Sequence, residues 1–127
     1  MNSEGNLEII NKYIEAYNSI DIEGMIDLLH QEVVFRNFSN HELTTETVGI
    51  QSFRDLAEES AKIFSSRRQT VTDIKIEDDK TVVQIDYEAV LAVDLPNGLK
   101  AGDRLQLKGK SVFGIVEGKI SLIEDYS

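Results

Sequence analysis

Residues 80–95, KTVVQIDYEAVLAVDL, decide the fold class because apolar side chains stand at alternate positions along most of their length. The alternating apolar row consists of Val83, Ile85, Tyr87, Ala89, Leu91 and Val93. A period of two over this length predicts a long β-strand with one buried face. The opposite row carries charge at Asp86 and Glu88 and is apolar at Val90 and Ala92. Such a half-apolar outer face favours a solvated surface or a dimer interface over a catalytic carboxylate pair.

Three more strand-like segments accompany this one, at residues 67–77, 103–116 and 119–126. Turn-forming residues separate the four strands, with Asp78-Asp79 before the long strand, Pro96-Asn97-Gly98 and Gly102 after it, and Glu117-Gly118 before the last. Short connections of this kind join antiparallel neighbours. The second half of the chain is therefore predicted to form an antiparallel meander of strands long enough to require strong bending.

The first half of the chain has helical periodicity instead. Helices are predicted over about 6–19, from residue 22 after an N-cap at Asp21, and over about 50–65, where the third helix runs to the basic pair Arg67 and Arg68. Between them, residues 33–38 (VVFRNF) predict a strand and residues 39–49 a polar loop, with a short strand at 44–48 left open. Helices that precede an antiparallel sheet predict one α+β domain over residues 1–127.

Net charge narrows the range of partners. The 127 residues include 13 Lys and Arg against 23 Asp and Glu, which gives a formal charge of −10 at pH 7. A field of this sign repels phosphate backbones and anionic membrane surfaces, so neither nucleic acid nor a membrane is expected as a partner. The opening residues MNSEGNLEII lack a signal-peptide pattern, and we expect a cytoplasmic protein.

The sequence lacks the residues or motifs of several common kinds of catalytic and binding site. The chain has no cysteine, which excludes disulfides, thiol nucleophiles and cysteine metal ligands. His30 and His41 stand in no metal-ligand spacing, and no glycine-rich phosphate loop or serine-hydrolase motif occurs. The sequence therefore predicts neither a metal nor a cofactor.

The order of these elements resembles the SnoaL-like branch of the nuclear-transport-factor-2-like (NTF2-like) superfamily. The resemblance spans nearly the whole chain and is carried by INKYIEAYNSIDIEGMIDLL (10–29), VGIQSFRDL (48–56) and GKISLIEDYS (118–127). It implies a cone in which a curved, mostly antiparallel sheet wraps around three helices and leaves a cavity open at one end. It also implies a homodimer through the outer face of the sheet. The superfamily includes isomerases, polyketide cyclases, epoxide hydrolases, dehydratases and non-catalytic members, so fold does not fix function.

Asp125 and Tyr13 are the predicted catalytic residues. Asp125 lies on the last strand where the resemblance implies a pocket-facing acid, and a carboxyl group between apolar walls can act as a general acid or base near neutral pH. Tyr13 matches a position where ketosteroid isomerases of the superfamily place a tyrosine that donates to the substrate oxyanion. The competing interpretations are a rim aspartate and a tyrosine packed in the core. Tyr17, one turn from Tyr13, is predicted to line the pocket or pack in the core.

Asn37 and Lys110 separate this chain from the steroid isomerases. Asn37 stands where those enzymes need an aspartate base, and an asparagine cannot accept a proton at neutral pH, which argues against that activity. It is expected either to orient a ligand or to cap a loop. Lys110 stands near where those enzymes keep a protonated acid. The resemblance turns Lys110 and Val112 toward the pocket, whereas strict alternation turns Lys110 to solvent; a bulge at Gly109 would reconcile the two. In a hairpin closed at Glu117-Gly118, an inward Lys110 would lie close to Asp125 across the strands.

Two hypotheses follow for function. In the first, the chain binds a small hydrophobic molecule in the cone and performs cofactor-free acid–base chemistry such as isomerisation, cyclisation or hydration. In the second, it is a non-catalytic ligand carrier or dimeric interaction module of the same fold. Besides the residues above, the predicted ligand-binding set contains Phe35, Phe53, Tyr87, Ala89 and Ile123.

Overall fold

Two helices form the N-terminal layer of the structure, a computed structural model that describes residues 3–127. Helix α1 spans Ser3–Asn18 and buries Ile10, Tyr13 and Ile14, which the spacing of three and four residues places on one face. Helix α2 spans Ile22–Ile26, and the side chain of Asp21 accepts a hydrogen bond of 3.0 Å from the amide of Gly24. The predicted N-cap is confirmed.

Six strands and a third helix complete the fold. In chain order they are β1 (Leu29–Ser39), β2 (Glu42–Val48), α3 (Ile50–Ala61), β3 (Phe64–Glu77), β4 (Lys80–Leu91), β5 (Arg104–Val116) and β6 (Lys119–Tyr126). The strands make one sheet in the order β2-β1-β6-β5-β4-β3, in which β1 runs parallel to β6 and every other pair is antiparallel. The predicted α+β cone, with a curved and mostly antiparallel sheet around three helices, is confirmed.

The sheet curves at breaks in its hydrogen-bond register. Register shifts lie between Asn37 and Phe38 on β1, between Val71 and Asp73 on β3, and between Gly114 and Ile115 on β5. A bulge bends its strand and increases the local twist, which lets strands of 11 to 14 residues wrap around the helices. The bulge at Gly109 that would turn Lys110 inward does not form, since β4 and β5 pair without a shift and Gly109 lies opposite Ile85.

Several element boundaries differ from those predicted; β1, for example, begins at Leu29 and not at residue 33. Helix α3 ends at Ala61 because Phe64, which fits the helical period, pairs with Leu91 at the start of β3. The short strand considered near 44–48 is present as β2. It is an edge strand that pairs with β1, although its polar composition is not typical of a strand. Val93 does not belong to the buried row: β4 ends at Leu91, and Val93 is 40% exposed beyond it.

The core lies between the helices and the concave face of the sheet. Its most deeply buried side chains include Ile10 and Met25 from the helices and Val83, Phe113 and Ile123 from the sheet. Strands β4, β5 and β6 contribute these residues from alternate positions, as the period of two predicts. Within residues 3–127, no helix combines the length and apolar character needed to cross a bilayer.

Candidate functional site

A cavity of about 370 Å³ opens between the helices and the concave face of the sheet. Its apolar walls come from Met25, Phe35, Phe53, Phe64, Ile85 and Phe113, and its polar groups from Tyr13, Tyr17, Asn37, Arg67, Tyr87, Ser111 and Asp125. The exposed residues Leu107, Lys108, Lys110 and Ser127 stand at its mouth. A mainly apolar cavity with a few converging polar groups is the usual form of a small-molecule site.

Strand register places three polar side chains side by side in this cavity. Asp125 on β6 pairs with Asn37 on the parallel strand β1 and with Ser111 on the antiparallel strand β5. The hydroxyl of Ser111 donates a hydrogen bond of 2.6 Å to Oδ1 of Asp125. Because register partners point to the same face of a sheet, Asp125 lies at the centre of this row.

Burial controls the ionisation of Asp125. The surrounding walls shield its carboxyl group from much of the solvent and raise its pKa from 3.8 to about 6, while the hydrogen bond from Ser111 acts in the opposite direction by stabilising the charged form. The carboxyl group therefore exchanges its proton close to neutral pH, which is the property required of a general acid or base.

Tyr13 faces the same cavity from helix α1. Its side chain is 5% exposed, and its ring packs edge-on against Phe113 with centroids 5.8 Å apart. Burial raises the pKa of the phenol, the negative charge of Asp125 raises it further, and Arg67 lowers it by a smaller amount. The hydroxyl stays protonated at neutral pH and is available as a hydrogen-bond donor.

Tyr17 and Tyr87 form a second polar group in the cavity. The hydroxyl of Tyr17 donates to that of Tyr87 over 3.2 Å, and burial raises the pKa of both phenols. Since Tyr87 accepts this bond, its own proton is left to donate elsewhere. Both residues line the cavity, as do Phe35 and Phe53, whose rings meet edge-on at 5.8 Å.

Asn37 lines the cavity while its amide is engaged on the hairpin beside it. Its Nδ2 donates to Oγ1 of Thr44 over 2.9 Å and lies 3.4 Å from Oγ of Ser39. The two roles predicted for this asparagine, orienting a ligand and fixing a loop, are therefore compatible in one side chain.

The proposed pairing of Lys110 with Asp125 is wrong, because Ser111 occupies that position. Lys110 lies opposite Tyr126 in the register, is exposed, and holds its ammonium 5.2 Å from the centroid of the Tyr126 ring. Strict alternation along β5 explains this: Ser111 and Phe113 point inward, so Lys110 and Val112 point outward. Lys110 borders the cavity only at the mouth, where it is exposed to solvent.

Three residues of the predicted ligand-binding set are not in the cavity wall. Val112 lies on the outer face of the sheet, while Ala89 and Ile123 are buried in the packed part of the inner face. Apolar periodicity identifies the buried face of a strand, but it does not separate side chains that pack against neighbours from those that border empty space.

Sequence reasoning missed Arg67 and Ser111. As part of the basic pair Arg67 and Arg68, Arg67 has no predicted role in the pocket, yet it is 4% exposed and lines the cavity from β3. Its Nε donates to the carbonyl oxygen of Tyr17 over 2.9 Å, and its guanidinium carbon lies 3.8 Å from the centroid of the Tyr17 ring. The alternation that puts Gln69 and Val71 inward also includes Arg67, and the alternation through Phe113 includes Ser111, so the pattern was present in the sequence.

The residues described offer no metal site. No group of three or more His, Asp or Glu side chains among them is arranged to hold an ion. The side chains of the cavity offer proton transfer at Asp125 and hydrogen bonding or charge at the tyrosines, Asn37, Ser111 and Arg67.

Comparisons with known proteins agree with the fold. The sequence model of the SnoaL-like domain matches residues 10–123. A provisionally named polyketide cyclase from Xanthomonas campestris pv. campestris superposes with a TM-score of 0.84 at 16% identity, over 98% of this chain and 90% of that one. A provisionally named polyketide cyclase from Pseudomonas putida gives 0.75 at 20% identity, over 94% and 89%.

A third structure, a hypothetical protein with a ketosteroid isomerase-like fold from Catenulispora acidiphila in complex with trimethylamine, gives a TM-score of 0.77 at 12% identity, over 94% of this chain and 85% of that one. No curated protein matches the chain. At these identities the similarity establishes the fold and leaves the chemistry to the residues of the cavity.

Proposed function

Because this chain belongs to the SnoaL-like domain family, we propose that it binds a small hydrophobic molecule in its cavity and catalyses cofactor-free acid–base chemistry of the isomerase, cyclase or hydratase type. The observation that carries the proposal is the position of Asp125. Its carboxyl group lies in a cavity with apolar walls, accepts a hydrogen bond from Ser111, and faces the same space as the hydroxyl of Tyr13.

Each of the two residues has a distinct role. The carboxylate of Asp125 removes a proton from a carbon beside a substrate carbonyl, and the C–H electron pair moves into the enolate. The hydroxyl of Tyr13 donates a hydrogen bond to the oxygen on which negative charge develops. The protonated Asp125 then returns the proton to another substrate atom, so the carboxylate is regenerated without a cofactor.

The pKa of Asp125 suits both steps. A pKa of about 6 leaves the group mostly ionised at pH 7 and makes it a stronger base than an ordinary aspartate. Asn37 cannot replace it, because an amide does not titrate in this range. Asp125 is thus the carboxyl group assigned to proton transfer, in contrast to the steroid isomerase arrangement with its base at the position of Asn37.

A probe reaction tests this role before the natural substrate is known. Ring opening of 5-nitrobenzisoxazole requires one base: a C–H proton passes to the carboxylate, the N–O bond breaks, and coloured 2-cyano-4-nitrophenolate forms. We expect the protein to accelerate this reaction and Asp125→Asn to lower the rate by about 10²-fold or more. Glu88→Gln is the control, because it removes the same charge from an exposed position on the outer face.

The pH profile gives a second test. The basic form of Asp125 is the carboxylate, so the rate should rise with pH through a midpoint near 6 and level off above about 7. A rate that is unchanged in Asp125→Asn, while the probe still binds, would favour the non-catalytic carrier. Failure of the folded protein to bind any apolar probe would contradict both functions.

We also propose that two copies of the chain form a homodimer through the outer face of the sheet. Val82 and Val112, which are register partners on that face, are partly exposed in the single chain. Burial of apolar side chains beside charged neighbours is typical of homodimer interfaces. Sedimentation equilibrium should give twice the monomer mass, and Val112→Lys should shift it toward the monomer.

A further inference from the structure

Arg67 is a buried cation that has no anionic partner among residues 5–127. Its side chain lines the cavity from β3 and is 4% exposed. Among the residues that the structure describes, no carboxylate lies within 4.0 Å of its guanidinium. Removing a charge from water is costly unless a partner compensates it, so an unpaired arginine at this depth calls for an explanation.

The contacts that hold Arg67 in place use only some of the hydrogen-bond donors of its guanidinium. Nε donates to the carbonyl of Tyr17 in the last turn of α1, where the negative end of the helix dipole favours a cation. The guanidinium also lies over the Tyr17 ring, and one terminal nitrogen approaches Sδ of Met25 at 4.0 Å. A guanidinium has five N–H donors, and thioether sulfur is a weak acceptor. Donors therefore remain for a molecule in the cavity.

We infer that Arg67 forms an anion-binding subsite in the cavity and that the ligand is an apolar organic anion whose carboxylate group pairs with its guanidinium. This inference rests on the proposed function, since it concerns the ligand of the same cavity. The planar fork of arginine matches a carboxylate in a bidentate arrangement, and the pair is strongest where water is excluded.

The net charge of −10 does not prevent an anion from binding there. At physiological ionic strength a charge is screened over about 8 Å, so groups inside the cavity and at its mouth dominate. Lys110 stands at the mouth, where its positive charge favours the approach of an anion, whereas the ammonium of Lys108 is already paired with Asp86 at 3.7 Å. Asp125 opposes a second negative charge beside it, which directs the anionic group to Arg67 and leaves the neutral part of the ligand at Asp125.

Two probes of matched shape test the subsite. 2-Naphthoate carries a carboxylate, whereas 2-naphthamide replaces it with a neutral group of similar size. Isothermal titration calorimetry at pH 8, where both Asp125 and the naphthoate are ionised, should show the wild-type protein binding naphthoate about tenfold or more tightly than naphthamide. Arg67→Met should abolish this preference while naphthamide binding is retained, and Arg67→Lys should restore part of it.

Arg68→Met is the matched control. It removes the same charge from the adjacent residue, which is exposed on the other face of β3 and pairs with Glu88 in the register. We expect it to keep the wild-type preference. Thermal unfolding of each variant separates a loss of folding from a loss of selectivity, because a residue that merely caps α1 would change the melting temperature and leave the preference between the probes intact.

Should Arg67→Met fail to fold, the wild-type protein still decides the question. In a ¹H–¹⁵N spectrum, the Nε–Hε resonance of Arg67, assigned by its absence in Arg67→Lys, should move on addition of naphthoate and stay in place with naphthamide. Equal affinity for the two probes, or a preference that survives Arg67→Met, overturns the anion subsite while the proposed cavity function stands. Failure of the folded wild-type protein to bind either probe overturns both.

Discussion

Replacing Asp125 by Asn should stabilise the protein at neutral pH. In the folded chain, burial raises the pKa of Asp125 from 3.8 to about 6, which means that the folded state disfavours its ionisation relative to the unfolded state. Each change of one in pKa corresponds to about 1.4 kcal/mol, so holding the ionised carboxylate in the cavity costs about 3 kcal/mol at pH 7 and above. Asn has no charge to bury and keeps an oxygen that can accept the hydrogen bond from Ser111.

The sign of the effect fixes its dependence on pH. Well below pH 3.8 the carboxyl group is protonated in both states and does not affect stability. Between about 4 and 6 the unfolded chain has released the proton and the folded chain holds it, so stability falls as pH rises; above about 6 the loss is constant. The advantage of Asp125→Asn over the wild type should be about 1.5 kcal/mol at pH 5 and about 3 kcal/mol at pH 7 to 8.

Urea denaturation of both proteins at pH 5, 6, 7 and 8 measures this difference. All other titrating groups are shared, so their contributions cancel when one protein is subtracted from the other. Glu88→Gln, which removes a charge from an exposed position, should show no comparable pH dependence. A stability difference that is the same at every pH, or an Asp125→Asn variant that is less stable throughout, would refute the placement of this carboxyl group in an apolar cavity.

Three further substitutions test other parts of the structure. Tyr13→Phe should fold normally and lower the rate of benzisoxazole ring opening by about 10²-fold, because the phenolate oxygen loses a donor; an unchanged rate would remove Tyr13 from the mechanism. Phe113→Ala should lower the free energy of unfolding in urea by about 3 to 5 kcal/mol, since the ring is 2% exposed, whereas a loss below about 1 kcal/mol would contradict its tight packing. Gly24→Ala should destabilise α2 although alanine favours helices, because the new Cβ would collide with the carboxylate of Asp21 and lie 3.3 Å from Cβ of Ala16. The same substitution in an Asp21→Ala background should cost less, and equal costs in the two backgrounds would be inconsistent with that collision.

The period of the hydrophobic pattern identified most of the fold. The alternation from Val83 to Leu91 and the spacing of Ile10, Tyr13 and Ile14 predicted elements that the structure contains, and Asp21 marked the start of α2. The pattern failed where long-range pairing overrides local preference. Phe64 fits a helix by its spacing but pairs with Leu91 in the sheet.

The candidate site was predicted only in part, because its composition also depends on long-range strand pairing. Asp125 and Tyr13 were identified through the family resemblance, and both line the cavity. Lys110 was placed beside Asp125 by assuming a hairpin register one residue away from the one that forms, and such a slip reverses the face of every side chain. Ser111 lies beside Asp125 instead, and Asn37, on the other side of Asp125, comes from a strand far away in the sequence.

By itself, the sequence determined the α+β class, the absence of thiol chemistry, the long strands of the sheet and the acid near the end of the last strand. The tertiary structure alone decided which side chains meet. The parallel pairing of β1 with β6 and the bending of the sheet at its bulges bring Asn37, Ser111, Tyr13 and Arg67 around one cavity with Asp125. The physical reason is that periodicity is a local property, whereas the register between distant strands and the empty volume they enclose depend on how the whole chain packs.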